Sequence, residues 1–124
     1  MTVTFILYVK NQEESKCFYE KLLQIKPRLH VKGMTEFLLS DTTVLGLMPE
    51  NGISTIISPI MPHPKLAQGI PRCELYLKTK NVASYIERAL QLNATLISPL
   101  QQRDWGDYVV YFADLDGHII AFAE

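Results

Sequence analysis

Several things are scarce in this chain, and each scarcity removes a class of function. There are only two cysteines, Cys17 and Cys73, with no CxxC spacing, so neither a disulfide scaffold nor a thiol-based zinc site is written into the sequence. The two thiols are read as reduced and partly buried, as in a cytoplasmic protein. The formal net charge is only −1, and lysine and arginine form no stripe, which argues against a nucleic-acid partner. No apolar run is long enough to cross a membrane. The opening MTVTFILYV lacks a basic leader and runs straight into polar NQEES, so it is read as a strand and not as a signal peptide. Tryptophan occurs once, as Trp105, and histidine three times, as His30, His63 and His118. Proline is confined: five of the seven lie between Pro49 and Pro71.

What is present is a duplication. A strand, TVTFILYV, is followed by a helix and then three strands ending in TTVLGLMPE; the second half repeats this order from CELYLKTKN to GHIIAFAE. At 124 residues the chain is one globular domain of two tandem modules, with residues 1–48 as module one, 49–71 as a Pro-rich linker and 72–124 as module two. The period is too long and the copies too few for a solenoid. Two βαβββ modules that shield each other's apolar faces give an α+β fold of eight main strands.

The local signals agree with that order. Strand-forming residues fill 3–9. Asn11 is an N-cap with Glu14 three residues on, and Phe18, Leu22 and Ile25 recur on one helical face until Pro27. Strands are expected near 28–32, at 35–40 and at 43–48. In the linker, ISTIISPIM is read as a short irregular strand, an edge or an arm. Module two has a strand at 73–79, then a helix capped by Asn81 with Val82, Tyr85, Ile86, Ala89 and Leu90 on its apolar face. Strands follow near 94–98, at 108–113 and at 118–123, with QQRDWG at 101–106 as a loop and DLDG at 114–117 as a turn. Burial between sheet and helix is expected for Leu7, Val9, Phe18, Leu22, Leu45, Leu47, Leu75, Leu77, Ile86, Leu90, Ile120 and Phe122.

Two phrases carry a family resemblance: FYEKLLQIKP after the opening strand and WGDYVVYFADLDGHIIAFAE at the end. They resemble the glyoxalase/bleomycin-resistance/extradiol-dioxygenase superfamily, the vicinal oxygen chelate proteins, over nearly the whole chain. Leu115 stands where that family's turn usually has proline, a mild change because a type I turn accepts many residues there. The resemblance implies two βαβββ modules whose sheets form a U-shaped cleft. It also implies four metal-ligand positions, one on the first and one on the last strand of each module. These fall on Thr4, Gly46, Glu74 and Ala121. Three of the four lack a useful donor, so no metal and no cofactor is expected. Members without metal include the bleomycin-resistance proteins, which hold a drug without changing it.

Individual side chains sharpen this picture. Strand alternation puts Glu74, Tyr76 and Lys78 on one face and Leu75, Leu77 and Thr79 on the other. Glu74 is either a desolvated carboxylate that recognises a cation or hydroxyl donor, or the partner of Arg72 or Arg103. Trp105 is either an aromatic wall for a flat ligand or a staple over the core. Tyr108 stands where related enzymes often carry arginine. Tyr8, Phe37 and Met48 are assigned to the module-one half of the cleft by parity, though such residues are more often core. Asp114 and Asp116 are read as turn residues bonding local N–H groups, and His118 as a turn cap. His30 and His63 are read as structural or exposed.

The expected ligand-binding set is therefore Glu74, Tyr76, Trp105, Tyr108, Tyr8, Phe37 and Met48, with no catalytic residue assigned. Gly46 and Ala121 are expected to leave room for a bulky ligand. The reading that results is a metal-free protein that sequesters or carries a small aromatic or cationic molecule. Two alternatives stay open: a glyoxalase-like lyase or isomerase with non-standard site residues, using either unconventional ligands or, metal-free, Glu74 as base, and a purely structural or interaction module. Exposed strand edges and a linker long enough to exchange modules point to a homodimer. Light scattering at tens of micromolar, about the range of weak dimers, should give twice the chain mass; a monomer there rejects the expectation.

Overall fold

The computed structural model describes residues 1–124. Strand β1 (Val3–Val9) leads into helix α1 (Gln12–Leu23), then β2 (Leu29–Val31), β3 (Met34–Ser40) and β4 (Thr43–Pro49). Helix α2 (Glu50–Ile57) and a 3-10 turn at Pro64–Ala67 follow. The second module runs β5 (Glu74–Lys78), α3 (Val82–Gln91), β6 (Thr95–Gln102), β7 (Tyr108–Ala113) and β8 (Ile119–Ala123). Contacts divide the chain into two compact units, Met1–Gln68 and Gly69–Glu124. No helix is long and apolar enough to cross a membrane.

Each unit holds one four-stranded mixed sheet, ordered β1-β4-β3-β2 and β5-β8-β7-β6. First and last strands pair in parallel in both, and the remaining pairs are antiparallel. The two registers repeat each other. Ile6 faces Gly46 in unit one as Tyr76 faces Ala121 in unit two, and Thr4 and Glu74 each lie two residues earlier. The duplication seen in the sequence is thus a duplication of hydrogen-bond register.

The caps act as their residue types dictate. Asn11 Oδ1 accepts from the N–H of Glu14 at 3.0 Å, and Asn81 Oδ1 from that of Ser84 at 3.4 Å. In unit one, Phe18 and Leu22 of α1 are buried, as are Leu7, Val9, Phe37, Leu45 and Leu47 of the sheet. In unit two, Tyr85 of α3 stacks on Phe122 with ring centroids 4.8 Å apart, and Phe112 meets Phe122 edge-on at 6.5 Å. These contacts fix the helix-bearing face of the second sheet: Ile120, Phe122, Val110 and Phe112.

The structure departs from the sequence expectations in four places. ISTIISPIM is not a strand or arm in its first part. Residues 53–57 belong to α2, where Ile53 is buried and Ile57 half-buried, four residues apart on one helical face. Pro49 occupies the N-cap position with a φ of −57° and no side-chain cap bond, Glu50 complements the first turn, and the inward packing of Ile53 supports the helix against the β-branched run. Helix α1 stops at Leu23, with Gln24 in the left-handed region, so Ile25 lies beyond it. Strand β6 extends to Gln102 and takes the first two residues of the expected QQRDWG loop. Leu90 is 52% exposed, not buried, because Ala89 takes the inward position of that turn; Leu75 and Leu77 are half-buried because β5 is an edge strand.

One turn depends on glycine. At Gly117 φ is +89°, and a Cβ would lie 3.1 Å from Gly69 Cα, so both backbone angle and space exclude a side chain. Asp114 organises that turn, its Oδ1 accepting the N–H groups of Asp116 and His118, both at 2.9 Å.

On the exposed side of α1, Glu20 is clasped by Lys16 at 2.8 Å and by Lys26. Hydrogen bonds from these two lysines hold its carboxyl down at about 2, from an ordinary 4.5. A carboxyl lowered on folding stabilises the native state fully above its unfolded value, and the contribution fades as pH falls through the folded one. The difference in melting temperature between wild type and Glu20→Gln should therefore be steady above pH 4.5, shrink between 4.5 and about 2, and vanish below. A difference independent of pH rejects this account.

Candidate functional site

The face of the second sheet that α3 leaves free carries a polar and aromatic cluster. Register places Tyr76, Ala121 and Tyr111 in one row, and Lys78, Ala123 and Val109 in the next. Tyr76 and Tyr111 pack against the buried cluster of Val109, Ala121 and Ala123, whose two alanines leave room for the rings. The Tyr76 hydroxyl meets the loop preceding β7, where it donates to Asp107 Oδ2 at 2.7 Å. The indole Nε1–H of Trp105 donates to the same hydroxyl at 2.9 Å. Lys78 Nζ lies 3.2 Å from Asp107 Oδ2 and donates to Oδ1 at 3.3 Å. One phenol thus joins the sole tryptophan, a carboxylate and an ammonium group.

The loop that presents Trp105 and Asp107 is closed by its own backbone. The Arg103 N–H donates to the Asp107 carbonyl at 2.8 Å, and the Gly106 N–H to the Arg103 carbonyl at 2.9 Å. Gly106 has a φ of +102°, suited to glycine. Arg103 anchors the loop: its Nη2 donates to Ser98 Oγ and Pro99 O, both at 3.0 Å, and to Val109 O at 2.9 Å. Its guanidinium lies 5.0 Å above the Tyr111 ring.

Protonation states follow from these contacts. Hydrogen bonds from Tyr76 and Lys78 hold the Asp107 carboxyl below the usual aspartate value. Burial pushes the Tyr76 phenol above its ordinary range; the Trp105 N–H opposes that and Asp107 adds to it. Near neutral pH the cluster is therefore a neutral tyrosine donating to a carboxylate anion.

The expected site residues distribute unevenly. Tyr76 and Trp105 come together. Glu74 shares the Tyr76 face by alternation but is exposed at the open end of β5, and Arg103, one of its two expected partners, is committed to Ser98, Pro99 and Val109. Tyr108 is the first residue of β7, so alternation already applies to it and sets it with Val110 and Phe112 on the face opposite Tyr76. In unit one, Tyr8 pairs with Met48, whereas Phe37 pairs with Leu45, three residues from Met48 and so on the other face, where it is fully buried. Asp107, the hub of the cluster, was not anticipated; its spacing from β5 gives no periodic signal, and only the Tyr76 reach identifies it.

The room expected at the two small residues is restricted. Tyr76 packs against the cluster that includes Ala121, which is fully buried. At Gly46 an added Cβ would lie 3.0 Å from Ile6 Cγ1, 3.3 Å from Thr4 Cγ2 and 3.5 Å from Met34 Sδ. In unit one an open depression of about 490 Å³ lies among Lys10, Asn11, Gln12, Glu13, His30, Val31 and Lys32. There His30 bridges Glu13 at 2.9 Å and Thr35 Oγ1 at 2.7 Å, a contact between α1 and the β2–β3 hairpin that gives the histidine a structural role. His63 caps the 3-10 turn, its Nδ1 accepting from the Lys65 N–H at 3.1 Å.

Known proteins agree with this architecture. The family model for the glyoxalase-like domain matches residues 2–124. The chain belongs to the glyoxalase-like family. Among solved structures, a glyoxalase-related enzyme from Fulvimarina pelagi superposes with a TM-score of 0.83 at 20% identity, covering 99% of this chain and 86% of that one. A glyoxalase/bleomycin resistance protein/dioxygenase superfamily member from Sphaerobacter thermophilus gives 0.74 at 16%, covering 100% and 96%. The lactoylglutathione lyase from Agrobacterium tumefaciens gives 0.72 at 21%, covering 100% and 92%. At these identities the likeness is one of fold. No curated protein matches the chain by sequence.

The residues do not fit the metal that enzymes of this superfamily use. Module one offers Thr4 and Gly46, module two Glu74 and Ala121, and the only strong donor among them is one exposed carboxylate. No three His, Cys, Asp or Glu side chains lie close enough together to hold an ion. Elemental analysis of the purified protein should find well under one Zn, Ni, Fe or Mn per chain; about one tightly held ion per chain, lost in Glu74→Ala, overturns this.

Proposed function

We propose that this glyoxalase-like protein binds a small aromatic or cationic molecule without metal, by sequestration or carriage, and that the free face of the second sheet is where it binds. The observation that carries the reading is the Trp105–Tyr76–Asp107 chain. A carboxylate anion and an indole face are held in fixed geometry beside the buried Val109, Ala121 and Ala123 of the sheet. Trp105 is 59% exposed although its N–H is satisfied, which leaves ring surface for stacking. Because Tyr76 packs against the cluster that includes the buried Ala121, a ligand would sit beside Trp105 and not deep against β8.

The lyase or isomerase reading is weaker. A general base must sit within about 2.6–3.2 Å of the proton it takes and have a value near working pH. Asp107 is held below the usual aspartate range, and Glu74 is exposed with nothing to orient it. The interaction-module reading gains from the restricted surroundings of Gly46 and Ala121, but it leaves the Trp105 arrangement without a use.

A thermal-shift screen against metals, glutathione conjugates and aromatic antibiotics separates the three, because a ligand of the native state raises the melting temperature by mass action. Stabilisation by an aromatic compound supports binding, stabilisation by a glutathione conjugate that a separate assay shows to be converted supports the lyase, and silence across the panel favours the interaction module. For any aromatic ligand found, Trp105→Ala should weaken binding by about 1–3 kcal/mol, by analogy with interface anchors. An unchanged affinity removes Trp105 from the site.

A further inference from the structure

We propose that Asp107 is the recognition carboxylate of this face and that Lys78 occupies it as an internal stand-in for a ligand's ammonium group. The inference rests on the reading of the face as a ligand site and goes beyond it by naming the group recognised: a primary amine carried on an aromatic body.

The argument begins with an asymmetry. The two partners of the ion pair are held very differently. Asp107 is only 22% exposed. Its backbone is locked by the Arg103 N–H, and one of its oxygens accepts from Tyr76. Lys78 is 70% exposed, and its ammonium group is placed by Asp107 alone. A surface ion pair of this kind adds little stability, since a long flexible chain must be immobilised in a high-dielectric setting. The anion is therefore preorganised, whereas its cation is exchangeable.

An incoming amine that displaces Lys78 meets a carboxylate already oriented, with an acceptor oxygen on the side the lysine vacates. Beside it stands Trp105, whose indole is fixed by its N–H on Tyr76 and whose ring is open to solvent. A carboxylate next to an aromatic face suits a cation joined to a flat body, through a charge-assisted hydrogen bond together with stacking or cation–π attraction. Of the other charges nearby, Asp104 is exposed in the same loop beside Trp105. Arg103 spends its guanidinium on Ser98, Pro99 and Val109. Glu74, the carboxylate that the sequence singled out, is exposed at the start of the strand.

Trp105 is the single tryptophan, so its emission reports on this site alone. The intact protein is titrated with 2-phenylethylamine, its neutral analogue 2-phenylethanol and the anionic 3-phenylpropionate, following tryptophan fluorescence. The amine should shift the emission saturably and the other two should not. Lys78→Met removes the competitor and a well-exposed side chain only, and should tighten amine binding about two- to fivefold. Asp107→Asn should weaken it about tenfold or more. Amine affinity that is unchanged or lower in Lys78→Met overturns the proposal, as does wild-type affinity in Asp107→Asn. If 2-phenylethanol binds as well as the amine, or 3-phenylpropionate binds better, recognition of a cation is rejected while the face remains a ligand site. If none of the three perturbs Trp105 in wild type or in Lys78→Met, the site and the cation both fall.

Discussion

The parallel pairing of first and last strand is the constraint on which everything else in each module rests. In unit two it sets Tyr76 beside Ala121 and Leu77 beside Phe122. That single register decides which residues meet α3 and which are left free. Slipping β5 by one residue against β8 would turn Tyr76 toward the helix, and slipping β8 instead would turn Phe122 toward water. The parallel pair requires a crossover, which the intervening α3 and two strands provide. The Tyr85–Phe122 stack, a buried aromatic contact between helix and sheet, opposes such a slip. The polar cluster is downstream of this register: Tyr76 packs against the cluster of Val109, Ala121 and Ala123, and its hydroxyl donates to Asp107.

Local chemistry explains why the fold was legible in the sequence. Alternating and β-branched runs marked the strands, and Asn11 and Asn81 marked the starts of two helices. The duplication supplied a check that one module could not give, because each assignment had to hold twice. Helix α2 falls outside the repeat, which is one reason it was missed. Its Ile-Ser-Thr-Ile-Ile run has strand composition, and the helix rests instead on Glu50 in its first turn and on Ile53 packing inward. Tertiary contact overrode propensity there.

The candidate site was only half legible. Tyr76 and Glu74 followed from parity, and Trp105 from its place in a loop. Tyr108 was placed by its position beside the closing hairpin and Phe37 by parity, whereas strand register puts Tyr108 with Phe112 and Phe37 with Leu45. Asp107 was out of reach altogether. It lies 31 residues from Tyr76, and their bond depends on small side chains in a third strand between them. Sequence periodicity reports which way a residue faces, but not how far its side chain travels across its neighbours.

In enzymes of this superfamily, donors on the first and last strands converge on an ion. Here the last-strand position of module two is an alanine, and the tyrosine beside it on β5 packs against the cluster that contains it. A small residue at that position can therefore be understood as half of a packing pair and not as an empty ligand site. The aromatic ring packs on the sheet while its hydroxyl fixes a carboxylate in the loop beside it. Negative charge that in a metal enzyme would face a divalent ion is found here at Asp107, farther along the sheet, answered by a single loosely held lysine. A divalent ion needs several convergent donors, whereas a lone carboxylate with one open side is matched by a monovalent cation such as an ammonium group. Tyr76, Ala121 and Asp107 thus leave on this face a lone carboxylate fixed by a tyrosine, and no convergent set of donors for a divalent ion.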